Sequence, residues 1–208
     1  HKTLRGPRGG FVLAKKEFSD AVNKGCPSVL GGPLPHVMAA KLVAFQEANT
    51  PVFQDYAHRI VDNARAMAEG FLEKGARLVT GGTDNHLLIV DVSPFGLTGR
   101  QAENALRTSA ITANRNTIPN DQQGAWYTSG LRLGTAAMTT LGMGKEEARQ
   151  IAHLIYEVLS HTESAISAKT GFPSKAACTV PDLIQIKVRK QVTELLSRFP
   201  LYPEIALD

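Results

Sequence analysis

The 208-residue sequence predicts a chain of mixed helices and strands whose larger part is a small α+β layer domain. Long stretches carry apolar residues at helical spacings of three and four. Short strand-like runs lie between them, bounded by Gly and Asn turns. From Pro51 to Ser160 the order is helix, strand, strand, helix, strand, strand, helix, which suits helices laid on one face of a sheet. A chain this long can bury a core for one or two domains, and its 43% hydrophobic and 20% charged residues are ordinary for a globular protein.

Residues 1–10, rich in Gly, Pro and Arg, read as a loop. Phe11 to Ala14 reads as a short buried strand, Glu17 to Lys24 as one or two helical turns, and Gly25 to Pro35 as a second loop. A helix is expected from Pro35 to Ala48, with Val37, Ala40, Val43 and Ala44 on one face. Pro51 opens the longest helix, to about Lys74, through Phe53, Tyr56, Ile60, Ala64, Met67 and Phe71; Gly75 is its stop. Arg77 to Thr80 and Leu87 to Val92 are strand-like around the turn Gly81-Gly82-Thr83-Asp84-Asn85. Thr98 is an N-cap for a helix to about Ser109. Ile111 to Asn114 and Gly130 to Gly134 read as strands. Lys145 to Ser160 reads as an amphipathic helix with Ile151, Ile155, Val158 and Leu159 inward. Thr162 to Thr179, small and polar, reads as a loop or linker. Pro181 leads a last helix to about Phe199, with Val188, Val192, Leu195 and Leu196 on one side.

The net charge of +4 and pI near 9.1 are basic but spread out. Lys2, Arg5 and Arg8 form one cluster and Lys187, Arg189 and Lys190 another, neither interleaved with aromatics. Nucleic-acid binding is therefore weakly signalled, and anionic small molecules account for the same excess. No run of 18 apolar residues marks a membrane span, and no signal-peptide pattern opens the sequence. Cys26 and Cys178, far apart, predict neither a disulfide framework nor a zinc site. Two such thiols suit a cytoplasmic location. His1 stands where a start Met would be, so the expectation is a piece of a longer protein.

The most informative segment is His1-Lys2-Thr3-Leu4-Arg5-Gly6-Pro7-Arg8-Gly9-Gly10. The neighbouring arginines disfavour the ammonium form of Lys2, and a neutral amine attacks an aldehyde. Those arginines also complement a phosphate or carboxylate. By itself, however, a basic Gly-rich loop is more often a solvated surface segment.

This string closely resembles the cofactor-lysine segment of serine hydroxymethyltransferases. Further segments resemble the same family in order: Gly31-Gly32-Pro33-Leu34 with His36, Gly81-Gly82-Thr83-Asp84-Asn85-His86 and Leu97-Thr98-Gly99. Asn114-Arg115-Asn116 with Pro119-Asn120-Asp121 and Thr128-Ser129-Gly130-Leu131-Arg132-Leu133-Gly134-Thr135 follow. The resemblance covers about residues 1–160, and Arg198 to Pro203 looks like the longer bacterial forms.

The resemblance implies the C-terminal part of a fold-type I transferase dependent on pyridoxal 5'-phosphate. Residues 1–48 would end the large cofactor-binding α/β domain, and 49–208 would form the small α+β domain with a C-terminal extension. Lys2 would carry the cofactor covalently, with Thr3 beside it and Arg8 in a supporting electrostatic role. Gly31 and Gly32 would touch the cofactor phosphate of a neighbouring subunit, which implies a homodimer, or a tetramer, with shared sites. The loop before them departs from the family pattern: Leu30 stands where many relatives have a Gln, and offers no amide. Arg132 would grip the substrate carboxylate through two parallel hydrogen bonds. Asn116 would contact the pteridine of tetrahydrofolate, the co-substrate, and Gly124, Ala125 and Trp126 would line that site. His36 and His86 read as structural hydrogen-bonders.

The implied reaction interconverts serine and glycine reversibly and gives 5,10-methylenetetrahydrofolate. Family residues that precede the lysine have no counterpart after His1, so the isolated chain is expected to be inactive. Two other readings remain at this stage: a threonine-aldolase-like lyase that works without folate, and a non-enzymatic module that binds nucleic acid.

Overall fold

The computed structural model describes residues 1–167 and 171–205. The chain divides into two compact units, His1–Asp55 and Tyr56–Asp208.

The first unit begins with a turn, closed by the Arg5 amide donating to Lys2 O at 3.1 Å. Phe11 to Ala14 is not a strand: no described strand pairs with it, and Phe11, Val12 and Leu13 are exposed. Phe11 instead stands edge-on to Phe45, with ring centroids 5.5 Å apart. A 3-10 turn, Lys16–Phe18, leads into α1 (Ser19–Leu30). This helix runs through Gly25 and Pro27, where the residues suggested a loop. Pro27 removes one helical donor, and the next residue, Ser28, donates its hydroxyl to Lys24 O at 2.9 Å. α2 (Pro35–Ala48) starts on a proline, whose fixed φ suits the first helical position. Its expected apolar face is only partly covered in this unit: Ala44 is buried and Val37 half-buried, while Ala40 and Val43 are exposed, as are Met38, Leu42 and Phe45 off that face.

α3 (Pro51–Glu73) buries Ile60, Ala64, Met67 and Phe71 at the helical spacing read from the sequence. It ends at Gly75 (φ 79°), where Ala76 N donates to Phe71 O and Gly75 N to Leu72 O. That is the paired carbonyl closure a left-handed glycine permits.

Four strands, β1 (Arg77–Leu78), β2 (Leu87–Asp91), β3 (Asn114–Asn116) and β4 (Gly130–Gly134), form an antiparallel sheet in the order β1-β2-β4-β3. Because side chains alternate along a strand, register assigns the faces. Leu88 opposes Leu133 and Val90 opposes Leu131, and these four are buried. Ile89, Arg132 and Asn114 share the other face, and Arg132 and Asn114 are exposed.

α4 (Gly99–Thr108) is capped as Thr98 predicted. Thr98 Oγ1 accepts from Gln101 N, and Gln101 Oε1 accepts from Thr98 N at 2.8 Å. Two short helices escaped the sequence reading, α5 (Gly124–Tyr127) and α6 (Ala136–Thr140). α7 (Lys145–Ser160) and α8 (Asp182–Ser197) complete the helical layer. Phe71, Leu106, Ile155, Leu159 and Val188 join the buried sheet face in one core. On α8 Val188 and Leu195 are buried, but Leu196 is 47% exposed.

The segment read as a linker is a second sheet, the hairpin β5 (Glu163–Ile166) and β6 (Pro173–Thr179); residues 168–170 lie outside the described residues. Gln101 holds this hairpin, its Nε2 donating to Ser174 O at 2.6 Å and Ala177 O at 3.1 Å. Among the described residues no helix is long and apolar enough to cross a membrane. None of their His, Cys, Asp and Glu side chains form a group suited to a metal.

Candidate functional site

The expected site residues fall in both units. In the first, Lys2 and Thr3 are exposed on the Lys2–Arg5 turn, and Arg8 is exposed beyond it. No hydrogen bond or ion pair among the described residues holds the Lys2 amine or the Arg8 guanidinium. Arg5, at φ 55°, lies 5.3 Å from the Phe53 ring centroid. Gly31 and Gly32 form the exposed link between α1 and α2, and Gly31 has φ 75°. Adding a Cβ to either would meet no atom within 4 Å, so their backbone is open to a ligand. No hydrogen bond ties Lys2 or Arg8 to these glycines. Leu30, the departure from the family pattern, is 77% exposed. A primary amine, an unpaired guanidinium and open backbone before a helix fit an aldehyde that bears a phosphate.

In the second unit the β3–β4 register brings Arg132 and Asn116 onto one sheet face. Asn114 opposes Arg132, and Asn116 opposes Gly130. Among the described residues the Arg132 side chain has no hydrogen bond or ion pair, so its five donors are open. Asn116 Nδ2 donates to Thr117 O at 2.7 Å, and Asn114 Nδ2 to Arg115 O at 3.0 Å. Gly130 is required for this approach. A Cβ there would lie 2.7 Å from Ile118 Cγ2 and 2.9 Å from Asn116 O. The cavity of about 400 Å³ that Arg132 and Asn114 border is otherwise mostly apolar.

Gly124, Ala125 and Trp126 are exposed on α5. Arg100 and Arg115 lie 5.0 Å and 5.6 Å from the Trp126 ring centroid. Cations at that range are attracted to an indole face and orient it. Arg115 is itself held by the Glu103 carboxylate. Trp126 remains 62% exposed, so much of the ring is available.

The segment between Asn116 and α5 is organised by Asp121, to which the sequence reading gave no role. Its Oδ2 accepts from Ile118 N (3.2 Å) and Ser129 N (2.8 Å). Its Oδ1 accepts from Gln123 N (2.9 Å) and Ser129 Oγ (2.7 Å). Burial pushes this carboxyl up, but the hydrogen bonds outweigh burial and hold it below the usual range. Asp121-x-Gln123 carries the signal of an Asx turn, which could have drawn attention to it. Its grip on Ser129, eight residues on, has no such signal. Neither expected structural histidine makes a side-chain hydrogen bond among the described residues. His36 is exposed, and His86 contributes its carbonyl, which accepts from Thr135 N at 3.0 Å.

Comparison with known proteins agrees with the motifs. The sequence model of the family described as serine hydroxymethyltransferase matches residues 1–155. A serine hydroxymethyltransferase of Treponema pallidum (strain Nichols) is 60% identical over 205 residues, which are 99% of this chain and 36% of that protein. One of Salinispora tropica is 57% identical over 207 residues, 100% of this chain and 43% of that protein. One of Chlamydia caviae is 54% identical over 208 residues, 100% of this chain and 42% of that protein. The chain thus spans 36–43% of the length of these curated relatives.

Proposed function

The chain belongs to the serine hydroxymethyltransferase family, whose fold is that of the fold-type I pyridoxal-phosphate enzymes, and from that premise we propose that it forms the C-terminal part of an enzyme of one-carbon and amino-acid metabolism. That enzyme interconverts serine and glycine and passes the hydroxymethyl carbon to tetrahydrofolate, giving 5,10-methylenetetrahydrofolate. Residues 1–48 end its cofactor-binding domain, and residues 49–208 are its small domain.

Pyridoxal 5'-phosphate, when bound, supplies an electron sink for bond cleavage at the substrate Cα. The residues of this chain attach, grip and orient. Lys2 is the attachment point, its amine being exposed and unpaired. Thr3 and Arg8 flank it, and Arg8 complements nearby negative charge. Gly31 and Gly32 present backbone N–H groups to the cofactor phosphate of a neighbouring subunit, so the working form is at least a homodimer. Arg132 holds the substrate carboxylate in a planar, two-bond grip, which fixes the Cα substituents and thereby which bond breaks. Asn116 meets the pteridine edge, donating and accepting, while Gly124, Ala125 and Trp126 line the folate site. A cytoplasmic location goes with this reading.

The observation that carries it is the unpaired Arg132 guanidinium on the sheet face shared with Asn116. A buried or ion-paired arginine would have no fork to offer. The experiment is serine cleavage by a full-length enzyme that carries this segment, with and without tetrahydrofolate. The expected result is cleavage that depends on folate, and folate-independent cleavage of serine at the same rate contradicts it. The isolated 208-residue chain is expected to show negligible transfer; robust serine cleavage by it would overturn that part of the reading.

A further inference from the structure

We propose that Asp121 is the positioning residue that fixes the folate-binding segment, Asn116 through Trp126, onto the strand that carries Arg132. This rests on the folate reading above and adds the device that holds the segment in place.

Every donor on Asp121 comes from that segment or from Ser129, at the entry to β4. Ile118 and Gln123 lie on either side of Asp121 in the segment. Ser129 immediately precedes β4, three residues before Arg132. Each carboxylate oxygen takes one donor from the segment and one from Ser129. The side chain therefore closes the loop on itself and joins it to β4 at once.

The segment and the link from it to β4 need such a hold because their backbone is costly. Asn120 and Thr128 both have φ 57°. Asn tolerates the left-handed region, but a β-branched residue there is a genuine outlier. Thr128 is 3% exposed, and its Oγ1 has no hydrogen-bond partner among the described residues. Strain of this kind persists only where surrounding contacts over-determine it, and it gathers at binding sites. Next to Thr128, Ser129 donates both its N–H and its hydroxyl to Asp121, while Thr128 itself is tied by its N–H to Gly124 O and by its carbonyl to Gly99 N.

A carboxylate is required in this place. Two oxygens accept from four donors, and an amide would turn an NH2 group onto two of them. Asp121→Asn therefore opposes half the hold with little change of shape. Ser129→Ala removes only the hydroxyl donor.

The test uses a full-length enzyme loaded with pyridoxal phosphate. It measures the tetrahydrofolate KM, the serine dissociation constant and the folate-free cleavage of a β-hydroxy amino acid. Asp121→Asn is expected to raise the folate KM about tenfold or more, and Ser129→Ala about threefold. Serine affinity and folate-free cleavage stay within about twofold of the parent in both variants. The emission of Trp126, obtained by difference from a Trp126→Phe enzyme, shifts in Asp121→Asn before any ligand is added. A folate KM within about twofold of the parent in Asp121→Asn overturns the proposal, as does a parallel loss of serine binding. Should Asp121→Asn fail to fold, Ser129→Ala decides by the same criteria. A parent enzyme with no folate dependence defeats both this proposal and the folate reading. A folate-dependent parent with an unmoved variant defeats this one alone.

Discussion

The two units of this chain are built on opposite terms. Tyr56–Asp208 has a continuous core in which Phe71, Leu106, Leu131 and Ile155 are almost wholly buried. His1–Asp55 buries one hydrophobic side chain, Ala44, and leaves Phe11, Leu13, Val29, Leu30 and Leu42 exposed. The amine proposed to carry the cofactor is in the unit without a core, and the arginine proposed to grip the substrate is on the unit with one. Stability and chemistry are thus separable here. In the first unit a substitution should change reactivity with little effect on unfolding, whereas in the second it can change both.

The largest expected effect lies at Lys2. In a full-length enzyme Lys2→Ala should reduce serine cleavage by about a thousandfold or more, because no other residue replaces a covalent attachment. The thermal midpoint of the second unit should not move. A variant that keeps its rate breaks the comparison at its root.

Next come core truncations. Phe71→Ala should destabilise the second unit by about 3–5 kcal/mol, the cost of an aromatic-sized cavity. Leu30→Ala, at an exposed position of the first unit, should stay within about 0.5 kcal/mol in the isolated chain. Denaturant titration of the two variants sharpens the contrast, and equal losses would erase it.

Arg132→Lys retains the charge and loses the fork. Serine affinity in the full-length enzyme should fall by about tenfold to a hundredfold, with stability unchanged. Equilibrium binding of serine checks this.

The smallest effect concerns acid. Burial raises the Asp91 carboxyl, but hydrogen bonds from Ser93 Oγ, Ser93 N and Arg77 outweigh it and hold the carboxyl below its ordinary value of 3.8. Asp121 is lowered from the same ordinary value by its own donors. A carboxyl depressed on folding adds stability that is fully present above the unfolded value. That stability is lost as pH falls through the folded value, since the unfolded chain takes up the proton first. Denaturant titrations from about pH 5 to about pH 2 should show this loss, and it should shrink in Asp91→Asn. An acid profile unchanged by that substitution would remove Asp91 from the account.

Much of the second unit was legible in the sequence because local signals agreed with the fold. The spacing of Ile60, Ala64, Met67 and Phe71, the Thr98 cap and the Gly75 stop each point to what forms. The hairpin Glu163–Thr179 was not legible. Its strands are built of small and polar residues such as Ser164, Ala176 and Ala177, and Gln101, far away in sequence, holds them. α1 was hidden by Gly25 and Pro27, which punctuate most helices and are tolerated here. Phe11 to Ala14 has the apolar run of a strand and no described strand beside it.

The site was legible in a different way. Lys2 and Arg132 stood out through family-like strings, which name residues without arranging them. That Arg132 shares a face with Asn116 follows from the β3–β4 register, and Asp121 meets Ser129 only once the segment folds back. Neither relation has a local periodicity that a sequence could display.

The most direct measurement is borohydride reduction of a full-length enzyme loaded with pyridoxal phosphate, followed by peptide mapping. The account predicts the reduced label on the peptide that contains Lys2. A label on any other lysine, or on none, would contradict it.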